Sequence, residues 1–286
     1  MYSKSLSIGP FTTEIKTDVA SVASMLERMY ADFSPPSEES FIDFPVFIRS
    51  ADGLRKWLYP QVEFFCDTFK PFKPLPRKQA YPMLEWGLNW CIANYAHQYL
   101  ILHASVLVKN DKAIIFPAHQ GSGKSTLSAG LMLRGWRLFS DELALIDMQS
   151  MQVQQCTRPI NLKNDAIELI ASESSQVCFS DVSNDTHKGS VALLKPSTES
   201  LSGKPQASIG AFAFVKYQPG VKGSLNQVTA SDAFSRIIDN SFNYHVQMHQ
   251  GFEVVHQLAS RLKAFDFPYS NFDDADALLS ELLCQN

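Results

Sequence analysis

The sequence predicts an α/β fold with a small α+β unit at its start, and three observations carry that expectation. An apolar strand, Ala113 to Phe116, runs into the turn Gln120-Gly121-Ser122-Gly123 and then into the helix-compatible run Leu127 to Leu133. Strand-like apolar runs alternate with helix-spaced ones through much of the remaining sequence. The stretch Pro71-Phe72-Lys73-Pro74-Leu75-Pro76 breaks both periodicities, because proline lacks a ladder donor and cannot continue a helix. It marks a hinge between a unit at 1–75 and a larger unit at 76–286.

Within the first unit, Thr12 to Thr17 alternates like a strand and Asp18 is placed to cap a helix from Val19 to Tyr30. Pro35-Pro36-Ser37 is a loop, and Phe44 to Ile48 and Val62 to Phe69 read as further strands. The phenylalanines Phe64, Phe65, Phe69 and Phe72 read as packing. After the hinge come a long apolar helix, Lys78 to Tyr99, and a strand, Leu100 to Val108. Asn110-Asp111 turns that strand into the one before the glycine turn. Gly135 closes the following helix, and Trp136 to Phe139 and Leu143 to Asp147 return to extended structure around Ser140-Asp141-Glu142. Later, Val153 to Cys156, Val191 to Leu194 and Ala211 to Tyr217 read as strands. Asn164 to Ala171, Asp232 to Ser241, Phe252 to Leu262 and Asp273 to Leu283 read as helices. The polar stretch Ser172 to Ser190 is expected to form a mobile loop.

Bulk properties narrow the class. The 286 residues are 45% hydrophobic and 19% charged with a formal net charge of -4, an ordinary globular composition. Lysines and arginines are scattered, so nucleic acid is not an expected partner. Cys66, Cys91, Cys156, Cys178 and Cys284 form no CxxC pair and read as reduced thiols of a cytoplasmic protein. The most apolar stretch, Trp86 to Val108, is interrupted by Asn89, Asn94, His97, Gln98 and His103, so no membrane span is expected.

The turn and its flanks form a phosphate-binding P-loop: strand, glycine turn, Lys-Ser-Thr, helix. Glycines let the N–H groups of Gln120, Gly121, Ser122 and Gly123 converge on an anion, and the helix start, with Thr126, adds partial positive charge. Lys124 can reach the outer phosphates of a nucleotide, and the Ser125 hydroxyl can hold magnesium. Ala118 stands at the first glycine position of the consensus.

The chemistry of the terminal phosphate depends on the neighbours. Asp141 and Glu142 follow the loop's helix and one short strand, where a P-loop fold brings the chain back toward the phosphates. They are either a solvated acidic pair or a division of labour, one carboxylate holding the metal and the other accepting a proton from an attacking hydroxyl. His103, on the preceding strand, is either a core histidine or a partner that tunes that base. Arg158, Lys163 and Lys188 are cations that can meet charge developing in transfer. Asn240, Asn243, Tyr244 and His245 cluster at a helix end, where capping explains them.

Together, Ile101-Leu102-His103-Ala104-Ser105-Val106, Gly121-Ser122-Gly123-Lys124-Ser125-Thr126 and Arg134-Gly135-Trp136-Arg137-Leu138-Phe139-Ser140-Asp141-Glu142 resemble the catalytic core of HPr serine kinases. Glu85 to Cys91, Arg158 to Asn164 and Lys188 to Ala192 extend the resemblance to the HPr-kinase-related kinase A group. It implies a P-loop core of the HPr kinase and phosphoenolpyruvate carboxykinase type, with a mixed sheet flanked by helices, and ATP with Mg2+ as cofactors. Asp141 then matches the family's catalytic aspartate and His103 the histidine beside it. Lys124 matches the loop lysine, and Glu142 stands where the family has a metal-associated aspartate. Arg158 and Lys188 lie in resembling segments and are expected at the nucleotide. The implied acceptor is a protein or peptide serine, with a small PqqD-like protein encoded nearby as a partner and a homo-oligomer as the assembly. Residues 1–75 do not resemble the N-terminal domain of HPr kinases, and the segment after Arg158 lacks their Arg-Gly-rich signature, so HPr is not carried over as the acceptor. A small-molecule hydroxyl kinase and a non-catalytic ATP-binding switch are the alternatives.

Overall fold

The computed structural model describes residues 1–53, 58–186 and 189–285. The chain begins with the hairpin β1 (Tyr2–Ile8) and β2 (Phe11–Thr17). The first of these strands was not anticipated, although Tyr2, Lys4, Leu6 and Ile8 alternate with serines in the period-two pattern of a half-buried strand. α1 (Ala20–Met29) buries Val22, Met25, Leu26 and Met29, one helical face. Its start differs from expectation. Asp18 does not cap it, because the carboxylate accepts from the Ser50 backbone N–H at 2.8 Å and so ties the helix start to the next strand. β3 (Phe44–Ser50), β4 (Gln61–Cys66) and β5 (Leu75–Pro76) complete a sheet ordered as in the chain, with β2 and β3 parallel. The expected hinge is therefore partly a strand: Leu75 and Pro76 pair with Val62 and Gln61.

α2 (Ala80–Tyr95) is apolar around most of its circumference because it is covered on two sides. Gly87 lies against the Phe64 ring so closely that a Cβ there would come within 2.0 Å of it. The core under the first sheet takes in α2 and continues into Ile101, Leu143, Leu145, Cys156 and Leu193. Packing thus runs across residue 75 without a gap.

The main sheet starts with β6 (Tyr99–Lys109) and β7 (Lys112–Pro117), then α3 (Lys124–Met132), β8 (Arg137–Ser140), β9 (Leu143–Asp147) and β10 (Gln152–Gln154). β11 (Ile160–Lys163), α4 (Asp165–Glu173), β12 (Ser183–Thr186) and β13 (Gly189–Leu194) follow, the three strands forming a separate small sheet. The stretch expected as a loop therefore contains a strand that pairs with β13. The chain ends with α5 (Thr198–Leu201), β14 (Gln206–Tyr217), β15 (Asn226–Gln227), α6 (Ala230–Asp239), α7 (Tyr244–Arg261), β16 (Lys263–Tyr269) and α8 (Phe272–Cys284). β14 is parallel to β7 and β16, whereas β6 is antiparallel to β7, β8 and β9, so the sheet is mixed.

Alternation along β6 divides its faces. Leu100, Leu102, Ala104, Val106 and Val108 bury beside Ile237, Val254 and Leu258 of α6 and α7. Ile101 joins the core of the first sheet, and Leu107 joins the core of α3 and α8. His103 stands between these two residues at a register position of the same face. Among the described residues, no helix is long and apolar enough to cross a membrane.

Candidate active site

The turn after β7 is shaped by two residues in the left-handed region, Gly121 at φ 87° and Gly123 at φ 90°. A side chain at Gly123 would also lack room, since a Cβ would lie 2.8 Å from both Tyr217 Cβ and the Tyr269 hydroxyl. Two bonds fasten the turn from outside: the Tyr217 N–H donates to Ser122 O and the Tyr269 hydroxyl to Gly123 O, both at 2.8 Å. α3 then starts at Lys124, and its first-turn N–H groups have no carbonyl within the helix to accept them. They face a cavity of about 400 Å3 lined by the turn from His119 to Thr126, by His103 and Glu142, and by Asn161, Lys163 and Asn164. A helix start with this polarity favours an anion.

Lys124 is buried, and its Nζ lies 3.3 Å from His103 Nε2. Burial pushes the ammonium's pKa down, while Glu142 and Asp141 oppose that shift. His103 is pushed down to about 4, first by burial and then by the Lys124 charge, against the pull of Glu142. A neutral imidazole can accept from the lysine at Nε2 only if its proton sits on Nδ1. That nitrogen lies 3.9 Å from Glu142 Oε2. The histidine is thus read as a fixed acceptor for the lysine rather than a cation.

The half of β6 that carries His103 is held at its other edge by residues 240–243. The His103 N–H donates to Asn240 O, and the Phe242 N–H to Ile101 O. Asn243, fully buried, accepts from the Ile101 N–H at 2.9 Å and donates to Tyr99 O at 2.8 Å. The polar cluster at this helix end therefore finishes the sheet edge.

Asp141 and Glu142 occupy the turn between β8 and β9. The Ser140 hydroxyl shapes that turn by accepting from the Glu142 and Leu143 N–H groups. Asp141 is buried and lines an adjoining small void rather than the loop cavity; its Oδ2 accepts from the Asn161 N–H at 3.4 Å, while among the described residues its Oδ1 has no partner. Its pKa is raised to about 6, first by burial and then by the Glu142 charge, with Lys124, the Ser125 hydroxyl and the Asn161 amide opposing. A buried carboxylate whose pKa lies near 6 is ionised at pH 7 yet basic enough to serve as a general base.

Arg158 departs from expectation. It does not line the loop cavity. Its guanidinium donates to Glu85 O at 3.0 Å and Glu85 Oε2 at 3.2 Å, and also to Asn89 Oδ1. Glu85 in turn accepts from the Tyr30 hydroxyl at 2.8 Å. Burial raises the Glu85 pKa, and Arg158 opposes that rise. The arginine thus secures α2 behind Asp141 and Glu142, with which it shares a small void. Among the described residues, the lysine that lines the cavity besides Lys124 is Lys163. Lys188 lies outside the described residues. Asn161 was not singled out in the sequence; only its place on the strand facing Asp141 reveals it.

The oxygens at the cavity suit a hard cation. Ser125, Glu142 and Asn161 line it, Asp141 lies in the void adjoining it, and among the described residues Asp141 Oδ1 and Asn161 Oδ1 are buried without partners. Among the described residues, no group of three or more His, Cys, Asp or Glu side chains converges as a metal cage. Magnesium needs no such cage, because phosphate oxygens and waters complete its octahedron.

No protein-family profile matches the chain, and no curated protein matches it. Among solved structures it is similar to the Hpr(Ser) kinase/phosphatase from Coxiella burnetii, at 12% identity and a TM-score of 0.27. That similarity covers 65% of this chain and 94% of the other. A likeness so loose carries no argument about this site.

Proposed function

We propose that the protein is an ATP-dependent, magnesium-assisted kinase that transfers the γ-phosphate to a hydroxyl, a serine of a protein or peptide. One observation supports this most strongly: Lys124, His103 and Glu142 meet at a cavity floored by a helix start, with Asp141, its pKa raised to about 6, buried behind Glu142 in the adjoining small void. The loop N–H groups and Lys124 receive the phosphates, with Gly121, Ser122 and Gly123 shaping the cradle. Ser125 and Glu142 would hold magnesium, which neutralises charge on the outer phosphates. Asp141 accepts the proton of the incoming hydroxyl, and its raised pKa makes it a better acceptor than an ordinary aspartate while leaving it ionised at pH 7. His103 positions the Lys124 ammonium by accepting from it. Lys163 faces the same cavity and can meet charge on the transferring group. Catalysis on this reading is positioning and electrostatics, as expected for a loose phosphoryl-transfer transition state.

The test is transfer of labelled γ-phosphate from ATP to candidate acceptors, with proteins encoded nearby, such as a small PqqD-like protein, offered first. Mass spectrometry then identifies the labelled residue. Labelling of a serine that disappears in Asp141→Asn is the expected result. Tight ATP binding without labelling of any protein, peptide or small hydroxyl acceptor would favour a nucleotide-driven switch instead.

A further inference from the structure

A second cavity, of about 590 Å3, opens beside the first. Gly121, Gly123, Thr126 and Ala166 line both, so the two form one trough across the first turn of α3. Its regions differ in chemistry. His103, Lys124 and Glu142 line the first cavity, whereas Tyr217, Tyr269 and Phe272 wall the second. Arg134 also lines the second, but its guanidinium is engaged by Asp273 at 2.6 Å and Glu173 at 3.0 Å and lies over the Phe272 ring. With that cation already paired, the second cavity is better suited to a stacking ring than to further phosphate.

Tyr217 is an aromatic residue left 46% exposed on the wall of this cavity. Even so, the ring is held in place: its backbone N–H is bonded to Ser122 O, and the Tyr269 ring meets it edge-on at 5.5 Å. Tyr269 is itself buried and bonded to Gly123 O. An exposed ring fixed to the phosphate turn is a preorganised stacking surface.

We propose that the second cavity receives the base and ribose of the nucleotide whose phosphates occupy the first. Tyr217 is the platform on which the base stacks, and Asp165, on the wall of the same cavity, accepts a hydrogen bond from a ribose hydroxyl or base amine. The inference rests on the kinase reading above for the placement of the phosphates. The terminal phosphate lies toward Lys124 and Asp141, so the inner phosphates leave past Thr126, which both cavities share. The cavity on the other flank of the turn shares His119 to Ser122 with the first and also touches Tyr217, but it contains neither Thr126 nor Ala166 and so lies off the first turn of α3.

Titration calorimetry with Mg·ATP and with inorganic triphosphate separates the two ideas. In Tyr217→Ala, ATP affinity is expected to fall roughly tenfold or more, as for loss of a stacked base, while triphosphate affinity stays within twofold. Tyr217→Trp, which keeps a stacking face, should retain ATP affinity. Unchanged ATP affinity in Tyr217→Ala overturns the nucleoside site and leaves the phosphate site standing. Equal loss for both ligands also overturns it, since Tyr217 would then act by holding the turn. Failure of the wild-type protein to bind either ligand removes the phosphate reading and this inference together.

Discussion

Asp141 is expected to stand where it does at the expense of stability. Its carboxyl is raised from 3.8 to about 6 by burial and by Glu142. At about 1.4 kcal/mol per pH unit, keeping it ionised in the folded protein at pH 7 costs about 3 kcal/mol. Asp141→Asn removes the charge and keeps an oxygen to accept from the Asn161 N–H, so the variant should be more stable by up to about 3 kcal/mol while losing phosphoryl transfer. The pH dependence has a definite sign. The folded-state pKa lies above the unfolded one, so the penalty is full above about pH 6 and fades as pH falls toward 3.8. Urea denaturation of both proteins between pH 7.5 and pH 4.5 measures this, with the gap widest at the alkaline end. A variant less stable than wild type, or a gap that ignores pH, would refute the reasoning and make Asp141 a structural carboxylate.

Three further outcomes follow from other parts of the molecule. Arg158→Met leaves Glu85 buried without its cation and should destabilise the fold by about 3–5 kcal/mol in urea denaturation, with much of the loss recovered in Arg158→Met combined with Glu85→Leu. Gly123→Ala forces a Cβ against Tyr217 and Tyr269 at a positive φ. It should cost at least about 1 kcal/mol of stability and weaken binding of both ATP and triphosphate by calorimetry. Because His103 is pushed down to about 4 and Asp141 up to about 6, kcat/KM should rise with pH through an inflection near 6. That inflection should persist in His103→Gln, and its disappearance there would assign it to the imidazole.

The local elements were largely legible because each writes its own period. The β7 strand, the glycine turn and α3 follow from a continuous apolar run, two glycines and a helix-forming run, although α3 starts at Lys124 rather than at the expected Leu127, and Leu143 to Asp147 came out with its boundaries intact. The same local logic failed where a distant partner decides. Asp18 is a plausible cap in sequence, yet the Ser50 N–H takes its carboxylate. β12 is too polar to announce itself and forms because β13 supplies a ladder.

Lys124, Asp141 and Glu142 were nameable as candidates from residue type and spacing, since a lysine after a glycine turn and an acidic pair one strand later leave a pattern in the chain, whereas spacing left His103 open between core and site and only the resemblance to HPr kinases favoured the site. Their electrostatic states were not nameable. An aspartate near pH 6 and a histidine near pH 4 are consequences of burial and of charges brought from β6, α3 and the β8–β9 turn, none of which is local. Arg158 shows the same division from the other side. The sequence marked a cation near the site, and only the packing of α2 determined that Glu85 would hold it. Tyr217 had no signal, and Asn161 lay in a resembling segment without being singled out, because whether an aromatic ring or an amide serves a site depends on which strand end lies beside it, and that is a property of the folded chain.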